Sequence, residues 1–126
     1  MNVIDSSAWL EYFADGPNAQ EFSPVIADTE DLLVPSITLF EVFKRFSAQR
    51  DSEAALYAVA QMQRGRVVDL DANLAIAAAD LSANLGLPLA DSVILATARA
   101  SEATFWTQDG DFESIDGVEY RRHRKG

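Results

Sequence analysis

Cysteine is absent from this 126-residue chain. Disulfides, thiolate zinc sites and thiol nucleophiles are therefore excluded, and the absence fits a cytoplasmic chain in a reducing compartment. Histidine occurs once, as His123, so neither a Ser-His-Asp triad nor a histidine-rich metal site is expected. The few glycines form neither a GxGxxG pattern nor a GxxxxGK phosphate loop. No apolar run reaches the roughly 18 residues of a membrane span. Met1-Asn2-Val3-Ile4-Asp5 lacks the basic start of a signal peptide. Basic residues are also scarce, 10 against 20 acidic ones, for a net charge of −10. Four of the ten lie in Arg121-Arg122-His123-Arg124-Lys125-Gly126, so residues 1–120 hold six basic and all twenty acidic side chains, or −14. Such a body repels nucleic acid at long range. The surplus serves solubility, or it holds metal cations and meets a basic partner. The basic tail either contacts phosphates or is a solvated end.

What is present suits one domain, residues 1–126, with 48% apolar residues to build a core. Met1 to Asp5 reads as a short strand stopping at Asp5-Ser6-Ser7, three helix-capping types in a row. A first helix follows with Ala8, Trp9, Tyr12 and Phe13 as its stripe, ended by Gly16-Pro17. A second spans Asn18 to Ala27, interrupted in expectation by Pro24. Asp31 to Pro35 reads as a strand, with Ser36 capping a third helix. Its stripe is Leu39, Val42, Phe43 and Phe46, widened by Ile37 and Phe40. Asp51-Ser52 caps a fourth helix, Glu53 to Arg64, with Gly65 just past its end. Arg66 to Leu70 is strand-like, and Asp71 caps an alanine-rich helix ending at Gly86. A helix starting near Asp91 runs through Arg99, then the strand Thr104-Phe105-Trp106-Thr107, then the turn Gln108-Asp109-Gly110-Asp111. Asp111 to Ile115 suggests one helical turn and Val118-Glu119-Tyr120 an edge strand. This alternation predicts an α/β fold, a parallel sheet with helices on both faces. Trp9, Trp106 and the seven Phe read as core or interface rather than base-stacking platforms.

Four acids stand out by position. Asp5 ends the first strand, Glu41 lies among large apolar residues of the third helix, Asp91 opens a helix, and Asp109 follows the fourth strand. If the first and fourth strands are neighbours at the sheet's switch point, Asp5 and Asp109 emerge side by side, where open α/β sheets bind ligands. Helices starting at that edge bring Glu41 and Asp91 over them. Each acid also has a plain structural use: Asp5 as a cap, Glu41 paired with Arg45 at i, i+4, Asp91 favoured by the helix dipole, Asp109 in an Asx-turn. Two carboxylates about 5 Å apart repel by roughly 3 kcal/mol at an effective dielectric near 20. A cluster of four therefore calls for protons or a divalent cation, and oxygen ligands suit Mg²⁺ or Mn²⁺.

These residues resemble those of a known family. Asp5-Ser6-Ser7 with Trp9, Ile37-Thr38-Leu39-Phe40-Glu41-Val42, Leu89 through Ala98 around Asp91, and Thr107-Gln108-Asp109-Gly110-Asp111-Phe112 are similar to the motifs of PIN-domain ribonucleases, specifically the VapC-type toxins of toxin–antitoxin pairs. The resemblance implies a five-stranded parallel sheet in the order 3-2-1-4-5 and a metal-dependent endoribonuclease leaving 5′-phosphate and 3′-hydroxyl ends. It implies Asp5, Glu41, Asp91 and Asp109 as catalytic and Mg²⁺- or Mn²⁺-binding residues, Asp5 and Asp91 foremost as direct ligands. Ser6, Thr107 and Asp111 would support them. It also implies an antitoxin partner reaching the acidic groove with a basic side chain, a transfer or ribosomal RNA substrate, a homodimer, and a larger assembly with the antitoxin. Gln108 stands where the family more often has a basic residue.

Other readings compete. A phosphatase using Asp5 as nucleophile would want an Asp-x-Asp pair and a lysine, and Asp5-Ser6-Ser7 offers neither; a receiver-type domain is no better matched. A partner- or RNA-binding module without catalysis, and a housekeeping ribonuclease without antitoxin, remain open at this point.

Overall fold

The computed structural model describes residues 1–124, so the end of the basic tail, Lys125 and Gly126, lies outside the described residues. The chain runs β1 (Asn2–Ile4), α1 (Ser6–Phe13), α2 (Ala19–Ala27), β2 (Leu32–Pro35), α3 (Ser36–Gln49), α4 (Ser52–Met62), β3 (Arg66–Val68), α5 (Ala72–Leu85), α6 (Leu89–Ala100), β4 (Thr104–Thr107) and β5 (Val118–Tyr120). Short 3₁₀ turns cover Thr29–Asp31 and Gly110–Phe112. The five strands form one sheet in the order β3-β2-β1-β4-β5, every pair parallel. All strands therefore end at one edge, and β1 and β4 are neighbours there, with Ile4 opposite Trp106.

Alternation along these strands feeds two cores. Ile4, Leu32 and Val34 pack with Trp9, Phe22, Val42, Ala58 and Met62 from α1 to α4. Val3, Leu33 and Phe105 point the other way, onto Ile94, Leu95 and Ala98 of α6 and onto Phe112. A parallel sheet covered on both sides needs such near-continuous apolar strands. Helix α6 is buried all round from Ser92 to Ala98, which is why its sequence shows no polar stripe. No single helix among the described residues is long and apolar enough to cross a membrane.

Several local expectations shift. Helix α6 begins at Leu89, with Pro88 as its cap at φ −57°, so Asp91 is its third residue rather than its opener. Proline's fixed φ suits a helix entrance. Likewise Pro35, not Ser36, precedes the first residue of α3. Helix α2 continues through Pro24, which is exposed, so the carbonyl it leaves undonated faces water. Helix α4 ends at Met62, and Gly65 serves a different purpose from a helix terminator. A Cβ there would lie 2.9 Å from Val34 Cγ2 and 3.0 Å from the Leu32 carbonyl oxygen, so the chain passes too close to β2 for any side chain. Gly86 does end α5 in the left-handed conformation, at φ 69°. Strand β3 stops at Val68. Phe40 departs from its expected place in the apolar face: it is 64% exposed.

Candidate active site

The ladder between β1 and β4 carries on one residue, Asp5 N–H donating to the Trp106 carbonyl at 3.0 Å. This sets Asp5 beside the end of β4 as α1 begins. Its Oδ1 accepts from Ala8 N at 2.9 Å, capping α1, and from Ser7 Oγ at 2.8 Å. Its Oδ2 accepts from Thr107 Oγ1 at 2.6 Å. Asp5 thus caps α1 and lines a cavity at once, 2% exposed and gripped by three donors. Thr107 Oγ1 in turn accepts from Asp109 N at 2.9 Å, so one hydroxyl ties the acid ending β1 to the loop after β4.

That loop is anchored from below. Phe112 is fully buried, its ring 4.7 Å from that of Phe105. Asp109 Oδ1 accepts from Asp111 N at 2.9 Å, the Asx-turn anticipated from Asp109-Gly110. Carboxylate oxygens of Asp91, Asp109 and Asp111 can lie within 4.8 Å of one another. Opposite, Glu41 Oε1 accepts from Ser6 Oγ at 2.6 Å. Asp5, Ser6, Ser7, Leu10, Glu41, Arg45, Asp91 and Asp109 line one cavity of about 260 Å³. The four acids singled out in the sequence, from four separate elements, share that cavity, and Asp111 joins its Asp91–Asp109 side.

The sequence model of the PIN domain matches residues 3–118, more than nine-tenths of the chain. The chain belongs to the PIN-domain family. No curated protein matches it in sequence. Among solved structures it is similar to VapC20 of Mycobacterium tuberculosis, described as a sarcin–ricin-loop-cleaving toxin, with 19% identity and a TM-score of 0.80 over 97% of this chain and 100% of that one. A chain of a toxin–antitoxin complex from Klebsiella pneumoniae is similar at 21% identity and TM-score 0.76, covering 94% of this chain and 95% of its own. A chain of DNA-bound VapBC from Salmonella typhimurium gives 22% and 0.72, covering 96% and 98%. At these identities the likeness is one of fold.

The electrostatics of this PIN domain follow from the crowding. Burial pushes the Asp91 carboxyl up to about 7, helped by the negative charges of Asp109, Asp5, Glu41 and Asp111 in that order. Burial likewise raises Asp5 to about 6, although its donors from Thr107, Ala8 and Ser7 pull the other way and Asp109 adds to the rise. A cation among these oxygens would relieve the repulsion. The donor set is all oxygen, the choice of hard divalent ions, whose bonds of about 2.1 Å keep six ligands within about 4.2 Å of each other. The oxygens of Asp91, Asp109 and Asp111, within 4.8 Å of one another, suit such an ion.

Three features escaped the sequence reading. Ser6 supports Glu41, and Ser7, which the sequence reading did not single out, supports Asp5; adjacent serines on a helix point about 100° apart, and only the helix phase assigns them. Gln108 is not among the residues that line the carboxylate cavity. Its Oε1 accepts from Asn18 Nδ2 at 3.1 Å, and the same Asn18 amide donates to the Arg122 carbonyl at 2.9 Å, fastening the chain's end to the α1–α2 loop. Finally, the i, i+4 pair of Glu41 with Arg45 does not form. Among the described residues Arg45 makes no ion pair, yet it lines the carboxylate cavity.

Proposed function

We propose that this PIN domain is a metal-dependent endoribonuclease and the toxin of a toxin–antitoxin pair. The observation that supports this is the meeting of Asp5, Glu41, Asp91 and Asp109 around one cavity whose lining includes no histidine, lysine or thiol to offer another chemistry. Asp5 and Asp91 would hold Mg²⁺ or Mn²⁺ directly, with Asp109 and Glu41 completing the shell directly or through water and Asp111 beside Asp91 and Asp109. Three hydrogen bonds hold the Asp5 carboxylate and leave an acceptor site on Oδ2 for the ion. When bound, such an ion lowers the pKa of a water and offsets charge on the phosphate.

The chain's own residues do the positioning. Thr107 and Ser7 fix the Asp5 carboxylate, Ser6 fixes that of Glu41, and the Phe112 anchor fixes Asp109 and Asp111. The reaction is hydrolysis: a water oxygen bonds to phosphorus, the bond from phosphorus to the 3′ oxygen breaks, and that oxygen takes a proton. The substrate is a transfer or ribosomal RNA loop. The partner is an antitoxin that brings a basic side chain into the acidic cavity, and the toxin pairs with a second copy of itself before assembling with it.

The test is cleavage of a small-RNA pool by the purified chain in Mn²⁺ or Mg²⁺, beside an EDTA lane and Asp91→Asn. Discrete fragments that vanish in both controls support the reading. Cleavage surviving Asp91→Asn overturns the site assignment. A chain that binds Mn²⁺ and cuts nothing overturns the activity.

A further inference from the structure

The carboxylate cavity is hostile to RNA, and the body around it carries only six basic residues. Two of those six, Lys44 and Arg45, are neighbours on the exposed face of α3. They belong to a second cavity, again about 260 Å³, lined by Phe40, Glu41, Lys44, Arg45 and Ala48. It shares Glu41 and Arg45 with the carboxylate cavity, so the two lie side by side with these residues between them. Arg45 makes no ion pair with Glu41 one turn away, whose Oε1 accepts from Ser6 Oγ at 2.6 Å. Lys44 also makes no ion pair among the described residues. Its Nζ sits 5.8 Å from the centroid of the Phe40 ring, whose side chain is 64% exposed.

An exposed aromatic ring flanked by unpaired cations is the composition of a single-strand nucleic-acid track: bases stack on the ring, and phosphates meet the cations. Resting on the nuclease reading above, we propose that Phe40, Lys44 and Arg45 hold the single-stranded RNA segment next to the cleaved bond. Arg45, at the mouth shared by both cavities, takes the phosphate adjoining the scissile one. Lys44 takes the next phosphate along α3. Phe40 supports the base between them. The guanidinium also screens the RNA from the carboxylates just inside, which is how a body of net charge −14 admits a polyanion at this one place. A protein helix laid on Phe40 is the competing occupant. The unpaired cations at the cavity mouth favour the polyanion over it.

The test uses the full chain and a labelled 12-nucleotide single-stranded RNA of mixed sequence, titrated in Ca²⁺ at several salt concentrations, together with cleavage kinetics on the small-RNA pool in Mn²⁺. Phe40→Ala is expected to weaken binding about tenfold, within the range for losing one stacked base. Arg45→Ala and Lys44→Ala should each lower the slope of log K against log salt by about 0.7, the value for one phosphate contact on a single strand. In Phe40→Ala and Lys44→Ala the loss falls on KM rather than kcat, and Mn²⁺ affinity stays at the wild-type value. Arg45→Lys should recover most of the salt slope lost in Arg45→Ala. Wild-type cleavage with unchanged KM and salt slope in all three alanine variants overturns this proposal and leaves the nuclease reading standing, with the strip assigned to a protein partner. A wild-type chain that cuts no RNA overturns the nuclease reading and this proposal with it.

Discussion

Asp5 and Asp91 line one cavity and are held in opposite ways. Asp5 is wrapped: both oxygens accept hydrogen bonds, and its carboxylate is part of the framework. Asp91 is crowded, with Asp109 and Asp111 on its own side of the cavity. Burial raises both groups, to about 6 and about 7, but donors offset part of the rise at Asp5, whereas three further carboxylates add to it at Asp91 after Asp109. One half of the cavity thus has its charge met by donors of the folded chain, and the other would be relieved by a cation. Frameworks of the first kind orient ligands; clusters of the second kind attract them.

The largest effect should come from the crowded half. Asp109→Asn removes a carboxylate from the trio and should lower RNA cleavage by at least about 10²-fold, the equivalent of several kcal/mol of lost charge stabilisation. Isothermal titration with Mn²⁺ should show the matching loss of affinity. A variant that cleaves normally would make Asp109 a turn residue only.

On the wrapped half, Thr107→Val keeps the volume of a fully buried side chain but deletes the 2.6 Å donor to Asp5 and the acceptor for Asp109 N. Cleavage should fall about 10- to 100-fold, as for other residues that orient ligands from behind. A fall as large as that of Asp109→Asn would erase the distinction between the halves.

Protonation separates the halves further. The folded-state pKa of Asp91 lies above the ordinary carboxylate value, so its contribution to stability is complete below about pH 4 and lost as pH rises through about 7. In EDTA, the melting temperature of Asp91→Asn minus that of wild type should therefore grow from pH 5 to pH 8. Adding Mn²⁺ at pH 8 should reverse the order, because the ion binds only the folded wild-type site well. A difference that shrinks with rising pH would place Asp91 in a helix-dipole role.

The smallest effect is a control on capping. Asp71 Oδ1 accepts from Leu74 N at 2.8 Å, almost the geometry of Asp5 with Ala8 N, but far along the chain from any site acid. Asp71→Ala should cost about 1 kcal/mol in urea unfolding and leave cleavage at the wild-type rate. An Asp5→Ala variant that behaved the same way would reduce Asp5 to a cap.

Much of this was legible in the chain. Asp51 and Asp71 cap α4 and α5 through their own third-residue amides, and Gly86 ends α5. Those signals act within a few residues, so sequence carries them. The sheet order was legible through the resemblance, and the five strands stand in that order. The missed helix starts both involve proline, which entered the helix boundary as cap where a serine or aspartate was expected. Glu41 and Arg45 show the limit most clearly. Their spacing suits a pair, but Ser6, 35 residues earlier, reaches Glu41 at 2.6 Å, and no local rule contains that distance.

By itself, then, the sequence determined the alternation of strands and helices, the two-sided apolar strands, the caps, and the four acids, two just past strands and two on helices. Each depends on interactions within a turn or on the period of the chain. Tertiary structure alone decided which serine serves which acid, that Asp91 joins Asp109 and Asp111 rather than Asp5 in the tightest group, and that Arg45 stands unpaired beside an exposed Phe40. Those outcomes depend on the packing of α1, α3 and α6 around a parallel sheet edge, where separations of a few ångströms between distant residues set both hydrogen bonding and charge.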